Sequence, residues 1–137
     1  MGNAMPVKAS CSKVASATNA AKGGVALLAQ AGVPVKKAPH SHDTALLRDQ
    51  GRWEEKSHAI DEGDKHLRVA TYYGYDGASA DAQRCRLNED HLGRAVIRMM
   101  EQGDTPYLLC GDFNIAPANS TVVSSLIAKW GAHRRAR

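Results

Sequence analysis

The sequence predicts a mixed α/β fold of about one domain, and three observations support this prediction. The 137 residues are 43% hydrophobic, which is enough for a globular core. Short apolar or alternating runs of strand length recur along the chain. One long segment, 79–102, carries apolar residues at the three- and four-residue steps of an amphipathic helix. The order strand–strand–strand–helix–strand–helix indicates helices packed on the faces of a sheet.

Three strands are predicted before the long helix. Residues 25–30 form an apolar run that follows two glycines and is closed by Gly32 and Pro34, which is typical of a buried strand. Residues 53–61 alternate weakly between polar and apolar, and residues 67–73 alternate clearly and are rich in β-forming side chains. A Glu-Gly-Asp turn joins the last two runs, so we expect an antiparallel hairpin.

Three segments lack a regular pattern. Residues 1–22 are small and polar and are expected to be weakly structured, and residues 35–51 are expected to form a basic surface loop. Residues 132–137 form a basic tail. The folded part is therefore predicted to span 23–131. Because aromatic residues make up only 5% of the chain, its core is expected to be aliphatic.

The helix over 79–102 has plausible signals at both ends. Ser79 or Asp81 can cap its start, and Gly103 occupies the position where a glycine often ends a helix. An apolar strand is predicted over 106–110, and a shorter helix over 120–130 that ends at a glycine.

Composition excludes several classes of protein. No apolar run approaches the roughly 20 residues needed to span a bilayer, so no membrane partner is expected. The start lacks the apolar stretch of a secretory signal, although its acid-free, Ala- and Ser-rich character leaves a transit peptide open. Three widely spaced cysteines, Cys11, Cys85 and Cys110, fit a reducing compartment. We therefore expect an intracellular protein, either nuclear or cytoplasmic.

Charge is distributed unevenly around a formal total of +4. Residues 1–42 and 113–137 contain no carboxylate, and all 14 acidic residues lie within 43–112. Any chemistry that needs a carboxylate must therefore come from the middle of the chain. The two basic ends make nucleic acid a candidate partner.

The sharpest local feature is the sequence LLCGDFN at 108–114. It places Asp112 and Asn114 where an apolar strand ends, and ligands often gather at the carboxyl edge of an α/β sheet. A carboxylate there can bind Mg²⁺ or orient a water, and an amide can contact phosphate. The same residues are also ordinary turn formers, so a simple turn is the alternative interpretation.

Three blocks in order, GGVALL (23–28), VATY (69–72) and GDFN (111–114), resemble the endonuclease/exonuclease/phosphatase superfamily. This is the deoxyribonuclease-I-like and apurinic-endonuclease-like group, which includes the endonucleases of some retroelements. The resemblance covers about residues 22–130. It implies part of a two-sheet α/β sandwich that is incomplete at both ends.

The resemblance also implies roles for particular residues. Asp112 resembles the family's general base and a ligand of Mg²⁺, Asn114 its phosphate contact, and Tyr72 the tyrosine that contacts the phosphate. The loop 74–79 occupies the place of the substrate loop, which makes Tyr75 and Ser79 candidate substrate-binding residues. The family commonly has an asparagine three residues after its tyrosine, a position that Tyr75 occupies here.

Two features of the family are missing from this sequence. No carboxylate precedes Asp43 to serve as the family's metal-binding glutamate, and no Asp-His pair follows Asn114. We therefore expect a fragment of a Mg²⁺-dependent phosphodiesterase or endonuclease that is inactive alone. The alternative is a non-catalytic remnant that binds nucleic acid or protein. An incomplete sandwich would leave one sheet face exposed and open to self-association.

Overall fold

The computed structural model describes residues 7–15, 21–60 and 65–135, with side chains for residues 24–60 and 65–129. Six strands and three α-helices are formed within these residues. The strands are β1 (Val7–Ala15), β2 (Ala21–Gln30), β3 (Val35–Lys37), β4 (Trp53–Ala59), β5 (His66–Tyr73) and β6 (Tyr107–Asp112). The helices are α1 (His42–Asp49), α2 (Ala82–Met100) and α3 (Thr121–Arg135), with a short 3-10 helix at Pro117–Asn119. The mixed α/β class predicted from the sequence is confirmed.

The main sheet has the strand order β3-β4-β5-β6. The β4–β5 pair is antiparallel, as the hairpin prediction required, although the turn predicted at 62–64 lies outside the described residues. The β5–β6 pair is parallel, and a parallel pair needs a long crossover connection, which α2 supplies here. The carboxyl ends of β5 and β6 therefore meet at one edge of the sheet.

The core lies between the main sheet and the helices. Its fully buried side chains come from α1, β4, β5 and α2: Leu47, Trp53, Ala70, Tyr72, Leu92 and Ala95. Trp53 and Tyr72 are the largest fully buried side chains, so the expectation of an aliphatic core is wrong. Composition gives the number of aromatic residues in a chain, but their positions in the strands decide which of them are buried.

The second sheet is the antiparallel hairpin β1–β2, and β2 lies against β4 and β5. The strand predicted at 25–30 is confirmed within β2, but its side chains alternate between half-buried and exposed, and Leu28 is 68% exposed. A buried strand was therefore the wrong interpretation of this run. The family's complete sandwich stays a prediction.

Three secondary-structure expectations differ from the structure. Residues 7–15 form β1 rather than a weakly structured segment, because pairing with β2 supplies backbone hydrogen bonds that composition does not reveal. The expected loop 35–51 contains β3 and α1, and burial of Leu47 stabilises a helix too short to show a periodic pattern. Helix α3 continues past Gly131, because one glycine costs a helix only about 1 kcal/mol.

Strand β6 is an edge of the main sheet. Leu108 is 51% exposed and Cys110 is also exposed, whereas Tyr107 and Leu109 pack against the core. One face of this strand is thus open in the described part of the chain. None of the described helices has the length and apolar character needed to cross a membrane.

Candidate functional site

The carboxyl ends of β5 and β6 form the candidate site. Their parallel register places Tyr73 beside Asp112 and Tyr72 beside Gly111. Gly111 has a φ of 139°, and a Cβ atom at this position would collide with the carbonyl oxygen of Tyr72. The two strand ends can therefore approach this closely only because residue 111 is glycine.

Four side chains meet at this edge: Tyr73, Asp76, Asp112 and Asn114, hereafter the Asp112 cluster. The main-chain N–H of Asn114 donates to Oδ1 of Asp112 over 3.0 Å. The side-chain amide of Asn114 donates to Oδ1 of Asp76 over 3.3 Å and to the carbonyl oxygen of Gly74 over 3.2 Å. The hydroxyl of Tyr73 donates to the same Asp76 oxygen over 2.6 Å. Two donors thus converge on one carboxylate oxygen.

Asn114 reaches this position through an unusual backbone conformation. Its φ of 51° lies in the left-handed region, which asparagine tolerates better than most residues. The bond from its N–H to Asp112 is the local contact of an Asx turn. The turn interpretation of GDFN is therefore confirmed, and the turn brings the amide of Asn114 to the sheet edge. The site interpretation stays a prediction.

The pKa of Tyr73 is raised above its ordinary value. The hydrogen bond to Asp76 is the largest cause, and the negative charges of Asp76 and Asp112 contribute, while Arg52 acts in the opposite direction. The phenol therefore keeps its proton at neutral pH and acts as a hydrogen-bond donor.

Tyr72, the tyrosine singled out in the sequence, does not join the Asp112 cluster. It is fully buried, and its hydroxyl donates to Oδ1 of Asn88 over 2.7 Å. Burial raises its pKa far above the ordinary value. Tyr73 stands in the cluster instead, because successive residues of a strand point to opposite faces.

Sequence reasoning preferred Tyr72 to its neighbour Tyr73, which a one-residue change of register would exchange with it, and it missed Asp76. The sequence comparison had used the position three residues after Tyr72, which is Tyr75. The position three residues after Tyr73 is Asp76. The alternation of β5 gave no signal for this choice. Leu67 and Val69 share the parity of Tyr73, and only the structure shows that the face with Ala70 and Tyr72 is the buried one.

Tyr75 and Ser79, the candidate substrate-binding residues, lie in different surroundings. The ring of Tyr75 is covered by the guanidinium of Arg52, whose Cζ lies 3.9 Å from the ring centroid. The Tyr75 hydroxyl donates to Gln50 over 3.3 Å. Ser79 is exposed in the turn before α2 and forms no hydrogen bond to the Asp112 cluster within the described chain.

A groove of about 600 Å³ adjoins the cluster. Arg52, Tyr75, Asp76, Asp81, Arg84 and Leu87 line it. Asp76 belongs to both sites, because its side chain lies in the cluster and its carbonyl oxygen accepts a hydrogen bond from Arg84 over 2.9 Å.

Asp112 was predicted as a ligand of Mg²⁺, an ion that proteins often bind through only one or two carboxylates. This role of Asp112 stays a prediction. Among the side chains that the structure describes, in residues 24–60 and 65–129, no group of three or more His, Cys, Asp or Glu converges as a metal site. The second carboxylate of the cluster, Asp76, already accepts hydrogen bonds from Tyr73 and Asn114.

Comparison with models of protein families, with curated proteins and with solved structures finds no match for this chain. The functional interpretation therefore depends on the geometry of the Asp112 cluster and on the adjoining groove.

Proposed function

We propose that the Asp112 cluster is the phosphodiester-binding site of a nuclease-like phosphodiesterase, and that this chain alone binds a phosphodiester with little or no turnover. One observation carries the proposal: two hydrogen-bond donors and an exposed carboxylate converge at the carboxyl edge of a parallel strand pair. Ligand sites in α/β sheets favour such edges.

The proposed roles follow from the groups present. The hydroxyl of Tyr73 and the amide of Asn114 are neutral donors that can turn from Asp76 to a phosphate oxygen. The carboxylate of Asp112 is exposed and can accept a proton from a water molecule beside that phosphate. Little turnover is expected, because the sequence contains neither the metal-binding glutamate nor the Asp-His pair that the family resemblance implies.

The first experiment measures binding of a dinucleotide phosphodiester, followed by amide chemical shifts in the absence of divalent metal ions. Shifts are expected at residues 73–76 and 112–114. Replacing Asp112 by Asn should tighten binding severalfold, because the repulsion between carboxylate and phosphate is removed. Asp104→Asn is the matched control, since Asp104 is exposed in the turn after α2, at the opposite end of β6. Equal affinities for the chain and both variants would contradict the proposed site.

The second experiment tests turnover with supercoiled plasmid and Mg²⁺. No nicking above that of a metal-free control is expected. Robust nicking that is lost in Asp112→Ala would show that the chain is an active enzyme and would overturn the expectation of little turnover.

A non-catalytic nucleic-acid-binding protein is the second candidate function. The observation that favours it is the pair of arginines in the groove, neither of which forms an ion pair within the described residues. Salt-dependent binding to DNA that is unchanged by Asp112→Asn would favour this candidate over the phosphodiesterase.

A further inference from the structure

The groove beside the Asp112 cluster contains two guanidinium groups and two carboxylates, from Arg52, Arg84, Asp76 and Asp81. Its formal charge is therefore balanced, and the hydrogen bonds of these four groups decide which of their donors remain available to an anion. The hydrogen bonds show that the carboxylates and the guanidinium groups are engaged in different ways.

Both carboxylates are committed to bonds within the chain. Asp81 caps α2, and its Oδ1 accepts the main-chain N–H of Arg84 over 2.7 Å. Oδ1 of Asp76 accepts the hydroxyl of Tyr73 and the amide of Asn114. Neither carboxylate lies within ion-pair distance of a guanidinium of the groove.

The guanidinium groups are held by neutral main-chain oxygens. Nη1 of Arg52 donates to the carbonyl oxygens of Tyr73 and Gly74 over 3.1 and 2.7 Å, and the group stacks on Tyr75. Nη1 of Arg84 donates to the carbonyl oxygen of Asp76 over 2.9 Å. Carbonyl anchors fix the orientation of a guanidinium without neutralising its charge, and each guanidinium has five N–H donors in total.

We propose that this groove binds the backbone phosphate of a nucleic acid next to the phosphodiester that occupies the Asp112 cluster. The inference rests on the proposed function for the position of that neighbouring phosphodiester. A guanidinium matches two phosphate oxygens at once, and Arg52 is oriented before the ligand arrives. No base is read by these contacts, so affinity should depend little on sequence.

The experiment measures binding of a short fluorescein-labelled DNA duplex by anisotropy over a range of salt concentrations, without divalent ions. Arg84→Gln should weaken binding about three- to tenfold and lower the slope of log affinity against log salt by about one. Arg86→Gln is the matched control, because Arg86 is exposed on the same helix and does not line the groove. It should leave binding nearly unchanged.

A second variant, Arg52→Lys, keeps the charge but loses the planar donor pair and the stacking, so it should also weaken binding. Thermal melts of both variants check that the fold is kept. The inference is overturned if the unaltered chain shows no salt-dependent binding, or if Arg84→Gln matches Arg86→Gln.

Asp112→Asn in the same assay separates this inference from the proposed function. Weaker binding by Arg84→Gln together with no change in Asp112→Asn would support the groove and contradict the Asp112 site. The reverse pattern would support the Asp112 site and contradict the groove.

Discussion

The hydroxyl of Tyr72 donates to Oδ1 of Asn88 over 2.7 Å, and this bond joins the carboxyl end of β5 to α2. The same oxygen accepts the main-chain N–H of Tyr75 over 3.1 Å. The amide nitrogen of Asn88 donates to the carbonyl oxygen of Phe113 over 2.9 Å. One fully buried asparagine thus positions both loops that carry the Asp112 cluster.

Removing the Tyr72–Asn88 bond should destabilise the fold. Tyr72→Phe is expected to lower the free energy of unfolding by about 1 kcal/mol, because one buried hydrogen bond is lost. Asn88→Leu should cost about 3 kcal/mol, because it also leaves the Tyr75 N–H and the Phe113 carbonyl without a partner. Urea denaturation measures both values. Asn119→Leu, at an exposed position, is the control and should change stability little; similar costs for all three would contradict the role given to Asn88.

The close approach of β5 and β6 depends on Gly111. Gly111→Ala should cost more than about 2 kcal/mol, because its φ of 139° is strained for alanine and the added Cβ would collide with the Tyr72 carbonyl. Gly93→Ala is the comparison, since a Cβ in α2 would meet no atom within 4 Å. That change should stabilise the chain by about 0.5–1 kcal/mol, because alanine is the better helix former. Thermal unfolding of the two variants should therefore shift in opposite directions.

The two adjacent tyrosines should have separable effects. Tyr73→Phe should weaken binding of a dinucleotide phosphodiester severalfold with little change in stability, because its hydroxyl is an exposed donor in the Asp112 cluster. Tyr72→Phe should lower stability and leave affinity for the diester nearly unchanged where the variant is folded. If Tyr72→Phe weakened binding of the diester and Tyr73→Phe did not, Tyr72 would be the residue that contacts the phosphate.

The start of α3 should be sensitive to acid through Glu89. Oε2 of Glu89 accepts the hydroxyl of Thr121 over 2.6 Å and the N–H of Val122 over 3.1 Å. Burial alone would raise the pKa of Glu89, but hydrogen bonds from the start of α3 outweigh it and hold the pKa below its ordinary 4.5. A carboxylate with a depressed pKa stabilises the fold above its unfolded pKa, and this contribution is lost as pH falls through the folded value.

Glu89→Gln should therefore cost about 1 kcal/mol near pH 7, the typical value of a helix cap. The difference from the unaltered chain should shrink as the pH falls below about 4.5. Unfolding measured across this range tests the effect, with Asp104→Asn as the control. A cost that is independent of pH would show that the charge of Glu89 does not matter.

The sequence predicted the elements that have strong periodicity. Helix α2 has a clear apolar face, and β5 has clear alternation, so both were identified near their observed bounds. Helix α1 was missed because its stability comes from burying Leu47 against other elements, which is a tertiary effect. Strand β1 was missed because its residues are small and polar and its pairing partner lies elsewhere in the chain.

The candidate site was predicted in part for a similar reason. The GDFN motif located Asp112 and Asn114, since the end of an apolar strand can be read from local sequence. The choice between Tyr72 and Tyr73 required the face of β5 that packs on α2, and Asp76 then depended on that choice. Arg52 could not be found from its neighbours, because it lies 21 residues before the Tyr73 carbonyl that anchors it.

Asp76 touches both proposed phosphate positions, through its side chain at the cluster and through its carbonyl oxygen at the groove. A phosphate bound at the Asp112 cluster would release Tyr73 and Asn114 from the Asp76 carboxylate. The carbonyl oxygen that holds Arg84 in the groove belongs to the same residue, Asp76. Binding of one phosphate would then change the affinity for the next phosphate of the same nucleic-acid strand. The coupling free energy would arise from the turn that contains Asp76.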